Sequence, residues 1–148
     1  MSLFSKMDSK IINTTRAFEL PFARLAFFVV YFWFGILKLF DASPANPLVD
    51  SLLQKTLPFM TFGTFIMLLG VYELIIGISF LIPRLSRVSI FLLIPHLIVT
   101  VMPLILLPAI TWQSWFIPTL EGQYIIKNIL IIALALEIAG SFRPMKSR

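Results

Sequence analysis

Four long apolar runs separated by short polar breaks organise the chain: residues 21–40 (PFARLAFFVVYFWFGILKLF), 62–82 (FGTFIMLLGVYELIIGISFLI), 88–110 and 124–140 (YIIKNILIIALALEIAG). Each is long enough to cross a hydrocarbon core of about 30 Å as a helix. Lipid offers backbone N–H and C=O groups no partners, so each run must close its hydrogen bonds internally. The breaks DASPANP, PRLSR and TWQSWFIPTLEGQ carry turn signals. The expected fold is an all-α membrane protein, a four-transmembrane-helix bundle formed by residues 1–148 as one domain.

The breaks predict smaller elements as well. In NPLVDSLLQKTLPF, Asn46 as a cap and Pro47 in the first position predict a short interfacial helix, with Leu48, Leu52 and Leu53 facing the bilayer or the bundle. Trp112, Trp115 and Phe116 read as anchors at the membrane surface. The leader sets Leu3, Phe4, Met7, Ile11 and Phe18 among polar residues, which fits an amphipathic helix along the inner interface or a frayed tail. The sequence ASPA follows the first run, but the long polar leader and Lys38 within the run argue for a retained helix rather than a cleaved signal.

Composition agrees with a membrane setting. Hydrophobic residues make up 59% of the 148 residues and charged residues 13%, a balance that a soluble chain of this length could not bury. The cations then set an orientation. Lys6, Lys10 and Arg16 precede the first run, Arg84 and Arg87 lie in the second break, and Arg143, Lys146 and Arg148 close the chain. These belong on the cytoplasmic side, with both termini. The other two connections hold Lys55 against Asp41 and Asp50, and Glu121, so they face outward. The net charge of +5 is accounted for by contact with anionic lipid headgroups. The scattered basic residues do not point to nucleic acid.

Absences narrow the chemistry. Without cysteine the chain has no disulfide, thiolate nucleophile, Cys-bound cluster or covalently attached haem, and its single histidine excludes bis-His haem. No covalently bound cofactor is expected, and any electron carrier must diffuse or belong to a partner. What remains is a set of ionisable residues inside apolar helices, where each is costly unless paired.

Helical rotation of about 100° per residue places Arg24, Tyr31, Gly35 and Lys38 on one stripe of the first span. On the second, Gly63, Gly70 and Gly77 recur on the side of Glu73, where they let a neighbouring backbone approach. On the third, Ser89, His96, Thr100 and Pro103 align, and Pro95 and Pro103 free backbone carbonyls. Helical rise predicts two polar tiers: an outer one of Lys38, Lys127 and Asn128, and an inner one of Glu73, His96 and Glu137. Glu73 and His96 are the candidates for catalytic proton handling, or alternatively a structural pair. Lys38, Lys127, Asn128, Tyr31 and Tyr124 are the candidates for ligand binding. No recognised metal-ligand spacing is present.

Three motifs carry a resemblance. Gly35, Lys38 and Leu39 form G-x-x-K-L, Glu73 and Gly77 form E-x-x-x-G, and Gly122, Gln123, Tyr124, Lys127 and Asn128 form G-Q-Y-x-x-K-N. In their order and spacing they resemble the DoxX and DoxX-like family of small four-helix membrane proteins, over most of the chain. His96 and Glu137 fall outside these motifs. The resemblance implies association with redox or stress systems, a membrane oxidoreductase as partner, and the bacterial cell inner membrane as location.

The first functional expectation is a redox-associated subunit binding a quinone or similar amphipathic ligand in a slot lined by Tyr31, Trp33 and Phe residues. Lys38 or Lys127 would bond a quinone oxygen, and Glu73 or His96 would handle protons. The alternative is a non-catalytic assembly or scaffold protein, with Glu73 paired to His96 and Lys127 to Asn128 or Glu121. A small-solute or proton pathway is a third, and four short helices would need a homo-oligomer for alternating access.

Overall fold

The computed structural model describes residues 3–142. The tail cations Arg143, Lys146 and Arg148 lie outside them. Helix α1 (Leu3–Leu39), α2 (Asn46–Thr56), α3 (Phe62–Leu81), α4 (Ser86–Val101), the one-turn helices α5 (Pro103–Leu106) and α6 (Pro108–Thr111), α7 (Leu120–Ile126) and α8 (Asn128–Gly140) are joined by turns. A 3-10 turn, Pro83–Leu85, leads into α4. A small antiparallel hairpin, β1 (Trp112–Ser114) and β2 (Ile117–Pro118), precedes α7. Four stretches are long and apolar enough to cross a membrane: Phe4–Leu39, Phe62–Leu81, Pro83–Leu106 and Leu120–Gly140. They pack in a ring, α1 on α3, α3 on α4, α4 on α8 and α8 on α1, with the α1–α3 interface by far the most extensive.

The boundaries depart from the hydrophobic runs for identifiable reasons. The first helix does not begin at Pro21 but at Leu3, continuous through the leader. No glycine occurs before Gly35 to stop it, and Pro21 is carried inside the helix. The leader is thus one exposed extension of the first span. Its other end is sharp. Asp41 adopts a left-handed conformation (φ 52°), the N–H of Ala42 donates to Leu37 O at 2.8 Å and that of Asp41 to Lys38 O at 3.2 Å. This paired arrangement closes a helix with its last carbonyls satisfied.

Asn46 is not a cap. It is the first helical residue of α2, whose N-cap is Ala45, and its Nδ2 donates to Asp41 Oδ1 at 2.6 Å. That bond ties the start of α2 to the end of α1. Of the three leucines read as facing the bilayer or the bundle, Leu52 and Leu53 are buried against the bundle and Leu48 is half-buried.

The third span ends earlier than residue 110. Pro103 has no N–H to donate, and the helix breaks at Met102 and again at Leu107. Side chains take over the unused carbonyls: Lys55 Nζ donates to Leu106 O at 2.6 Å, Trp112 Nε1 to Leu104 O at 2.9 Å, and Thr119 Oγ1 to Ile110 O at 2.7 Å. Trp112 is therefore engaged inside the fold, whereas Trp115 and Phe116 stand exposed at the hairpin tip. The fourth span starts at Leu120 rather than residue 124, because Thr119 caps it by accepting from the Gly122 N–H at 3.1 Å.

Two contacts set the spacing of α1 and α3. A β-carbon on Gly35 would lie 2.8 Å from Gly70 O, and one on Gly77 would lie 2.9 Å from Phe32 N. Only glycine permits that approach. Gly63 has nothing within 4 Å, so the heptad of glycines is functional in packing at two positions and not at the third. Around the contact sits the core of Ala23, Phe27, Tyr31, Ile76, Phe80, Leu93, Ala135 and Ile138. The rings of Phe27 and Phe80 stack with centroids 4.1 Å apart.

Candidate functional site

Of the stripe read on α1, Tyr31, Gly35 and Lys38 are buried and Arg24 is only half-buried; Ala23 and Phe27, which the stripe did not include, continue the buried side toward the N-terminus. Trp33 does not join them; it is 63% exposed, which removes it from any internal slot. Lys38 is only 6% exposed, so its ammonium does not reach toward solvent. Its Nζ donates to both oxygens of Glu73, at 2.9 and 2.7 Å. The pair is charge-assisted and doubly bonded, the strong form of such contacts.

This pairing overturns the two-tier arrangement. Gly35 and Gly70 touch, and Lys38 and Glu73 lie three residues beyond them in opposite directions. A β-carbon on Gly70 would also lie 3.2 Å from Lys38 Cβ, so the Lys38 backbone stands near the level of Gly70 and roughly one helical turn from Glu73. Side chains on a helix lean toward its N-terminus, however, and α1 and α3 are antiparallel. Lys38 leans toward the level of Glu73 while Glu73 leans toward Lys38. Placing residues by backbone height alone separates two groups that the side chains bring together.

His96, on α4, completes the cluster. Its Nε2 lies 2.9 Å from Glu73 Oε1. A carboxylate only accepts, so Nε2 carries the hydrogen, and in the neutral ring Nδ1 is then the acceptor. Two hydroxyls face that nitrogen, Tyr31 at 3.5 Å and Thr100 at 3.3 Å. Thr100 also donates to His96 O at 2.8 Å, which leaves the longer Tyr31 contact as the nearer match to a dedicated donor. The Tyr31 ring meets the imidazole edge-on at 5.0 Å, and the Tyr72 ring lies 6.4 Å away, held by its hydroxyl donating to Leu92 O at 2.6 Å. Tyr31, His96, Glu73 and Lys38 thus form one hydrogen-bonded chain across three helices.

The remaining candidates are elsewhere. Lys127 is exposed and lies 4.8 Å over the ring of Tyr124, itself 61% exposed. Asn128 donates to Ile125 O at 3.0 Å. The expected pairing of Lys127 with Asn128 or Glu121 gives way to this cation–π contact. Glu137 is exposed and does not join Glu73 and His96 in a group among the described residues. In the G-Q-Y-x-x-K-N motif, Gly122 has a packing role: a β-carbon there would collide with Thr111 O.

Two features escaped sequence reasoning. Tyr72 flanks Glu73 in sequence and was legible only as another aromatic in an apolar run. A hollow of about 260 Å³ lies between α2, α3 and α4, lined by Leu52, Leu53, Thr56, Phe65, Val99 and Met102. Val99 stands about one turn beyond His96 on α4, and Met102 is that helix's C-cap. Comparisons of the chain with protein-family models, with curated proteins and with solved structures find no match.

Proposed function

We propose that the chain is a multi-pass protein of the bacterial inner membrane, DoxX-like in kind. In this reading it is a redox-associated subunit that binds a quinone or similar amphipathic ligand beside the Tyr31–His96–Glu73–Lys38 chain. The single observation that carries this reading is the burial of that chain between apolar helices. A buried ion pair is weak glue, since a well-packed apolar pair of similar size often stabilises as much or more. Ionisable groups kept at such cost more often do chemistry. The motif residues Gly35, Lys38, Glu73 and Gly77 meet at one helix interface, which supports the DoxX-like reading as well. Three arginines, Arg24, Arg84 and Arg87, gather at the end of the bundle with the α3–α4 turn. Their convergence supports a cytoplasmic assignment for that end, with α2 at the opposite interface.

The residues fit such a ligand in part. The hollow under α2 falls just below the usual range of about 300–1,000 Å³ for ligand pockets, enough for one substituted ring, while an apolar tail would follow the exposed helix faces. Lys38 and the Tyr31 and Thr100 hydroxyls are the groups able to donate to a carbonyl oxygen. Bound there, a quinone supplies electron-accepting chemistry, with electrons from a membrane oxidoreductase partner. The chain's own part is to orient the ring and hold a proton at His96 Nδ1 or the Tyr31 hydroxyl.

The test compares wild type with the double variant Lys38→Met/Glu73→Leu. Unfolding stability is expected to change by less than about 1–2 kcal/mol, since both charges leave together. Quinone extracted from the purified protein and quantified by mass spectrometry should fall at least fivefold. Wild-type protein without quinone, or equal amounts in both, would sink the proposal. A second reading, a scaffold protein, draws on one observation: both Glu73 oxygens are already occupied within the chain. Its signature is a ligand-free wild type whose double variant still assembles with its partner.

A further inference from the structure

The outward side of α1 carries one stripe of mostly apolar residues along nearly its whole length. Phe4, Met7 and Ile11 are followed at the same spacing by Thr15, Phe18 and Phe22. Ala26, Val29 and Trp33 repeat it a third time. Steps of three, four and four residues average about 3.67 per turn, so these positions stay in line on a nearly straight helix. Ala26 is half-buried and the others are exposed. Rotation of about 100° per residue puts the stripe opposite the buried side of Ala23, Phe27, Tyr31 and Lys38.

Lipid covers only part of it. About 20 residues cross a hydrocarbon core, and residues 20–39 of α1 supply them. Residues 3–19 then project by about 25 Å at roughly 1.5 Å per residue. Phe4, Met7, Ile11 and Phe18 are on that projection, with Ile11 63% and Phe18 65% exposed. An aligned apolar patch outside the hydrocarbon marks a contact with protein or with a membrane surface.

Charge and phase favour protein, and a second copy of this chain in particular. Beside the stripe, Asp8 and Glu19 lie on one flank and Lys10 on the other. A helix lying on an anionic membrane surface is favoured by basic residues on both flanks, and two carboxylates on one flank oppose it. Two parallel helices related by a two-fold axis instead set the acidic flank of each against the basic flank of the other. Asp8 of one copy then stands beside Lys10 of the next. Copies inserted with the same topology are parallel. The stripe also keeps its phase from the span into the projection, and α1 runs unbroken through Pro21. A contact made within the membrane therefore continues outside it with neither helix bending, as an 11-residue repeat allows.

We propose that α1 forms a parallel, two-fold contact with α1 of a second copy along this stripe, with Phe4, Met7, Ile11 and Phe18 as its part outside the hydrocarbon. The surface faces away from the Lys38–Glu73–His96 chain, so the contact is independent of any ligand there.

The chain has no cysteine, which suits disulfide cross-linking of the full-length protein in lipid vesicles, with rates normalised to alkylation of the same cysteine. Met7→Cys and Ile11→Cys should form covalent dimers at least fivefold faster than Lys6→Cys and Asn13→Cys, exposed positions turned away from the stripe. In the Ile11→Cys background, Asp8→Lys should slow cross-linking about threefold, and adding Lys10→Asp should restore it. All these substitutions are at exposed positions, and unchanged far-UV circular dichroism confirms that the fold is kept. Equal rates on and off the stripe, or an Asp8→Lys effect that is absent or not restored, overturns the proposal. So does a bimane label on Ile11→Cys that is quenched by spin-labelled lipid while no dimer forms, which assigns the stripe to the membrane surface.

Discussion

Lys38 and Lys127 are the same residue type, each close to the α2 end of an apolar helix, yet they meet opposite fates. Lys38 is 6% exposed and bonded twice to Glu73. Lys127 lies on the surface over Tyr124. The difference is the neighbour. Gly35 and Gly70 bring α1 and α3 into backbone contact, which puts a carboxylate within reach of Lys38 and shuts out solvent. At the junction of α7 and α8 no described residue offers such a partner, and the aromatic face of Tyr124 on α7 serves instead. A charge in an apolar run is therefore a site only where a second helix delivers its complement at close range.

The sharpest way to break this contrast is to remove the complement. Glu73→Ala leaves Lys38 buried and unpaired, and should destabilise by about 3–5 kcal/mol in reversible denaturant unfolding in detergent. A loss below about 1 kcal/mol would mean that Lys38 reaches solvent after all. Next comes the spacing that creates the pair. Gly35→Ala should cost about 1–3 kcal/mol by the same assay, because its β-carbon meets the Gly70 backbone. Gly63→Ala, in open space, should be neutral or stabilising by up to about 1 kcal/mol. Similar effects at the two glycines would remove the close-approach account. The smallest effect belongs to the exposed lysine. Lys127→Ala should change stability by no more than about 1 kcal/mol, and a larger loss would place it in a network like that of Lys38.

Parts of this contrast were readable from residue order. The stripe of Tyr31, Gly35 and Lys38 follows from rotation along a helix, and so does the alignment of His96 with Thr100. Glu73 as a deep carboxyl needing a partner also follows. The partner itself does not. Backbone height assigned Lys38 to Lys127 and separated it from Glu73. The opposite lean of side chains on antiparallel helices reverses that assignment, and the lean matters only once the two helices are known to be neighbours. Trp33 shows the same limit: its composition suits an internal slot, and its rotation about α1 carries it outward. The arginine cluster was legible only as cations near a membrane surface, since Arg24 is far from Arg84 and Arg87 in sequence.

Sequence by itself determined the number of helices long and apolar enough to span a membrane, their approximate limits, and the chemical types available inside them. Apolar run length and turn residues are local properties, and lipid leaves a spanning segment little choice but helix. Tertiary structure alone decided which helices touch, and therefore which charges pair. That choice rests on glycine contacts between α1 and α3, on the proline break that ends α4, and on side-chain directions that become convergent only in an antiparallel pair. Pairing across helices is a property of two surfaces at once, and neither run carries it alone.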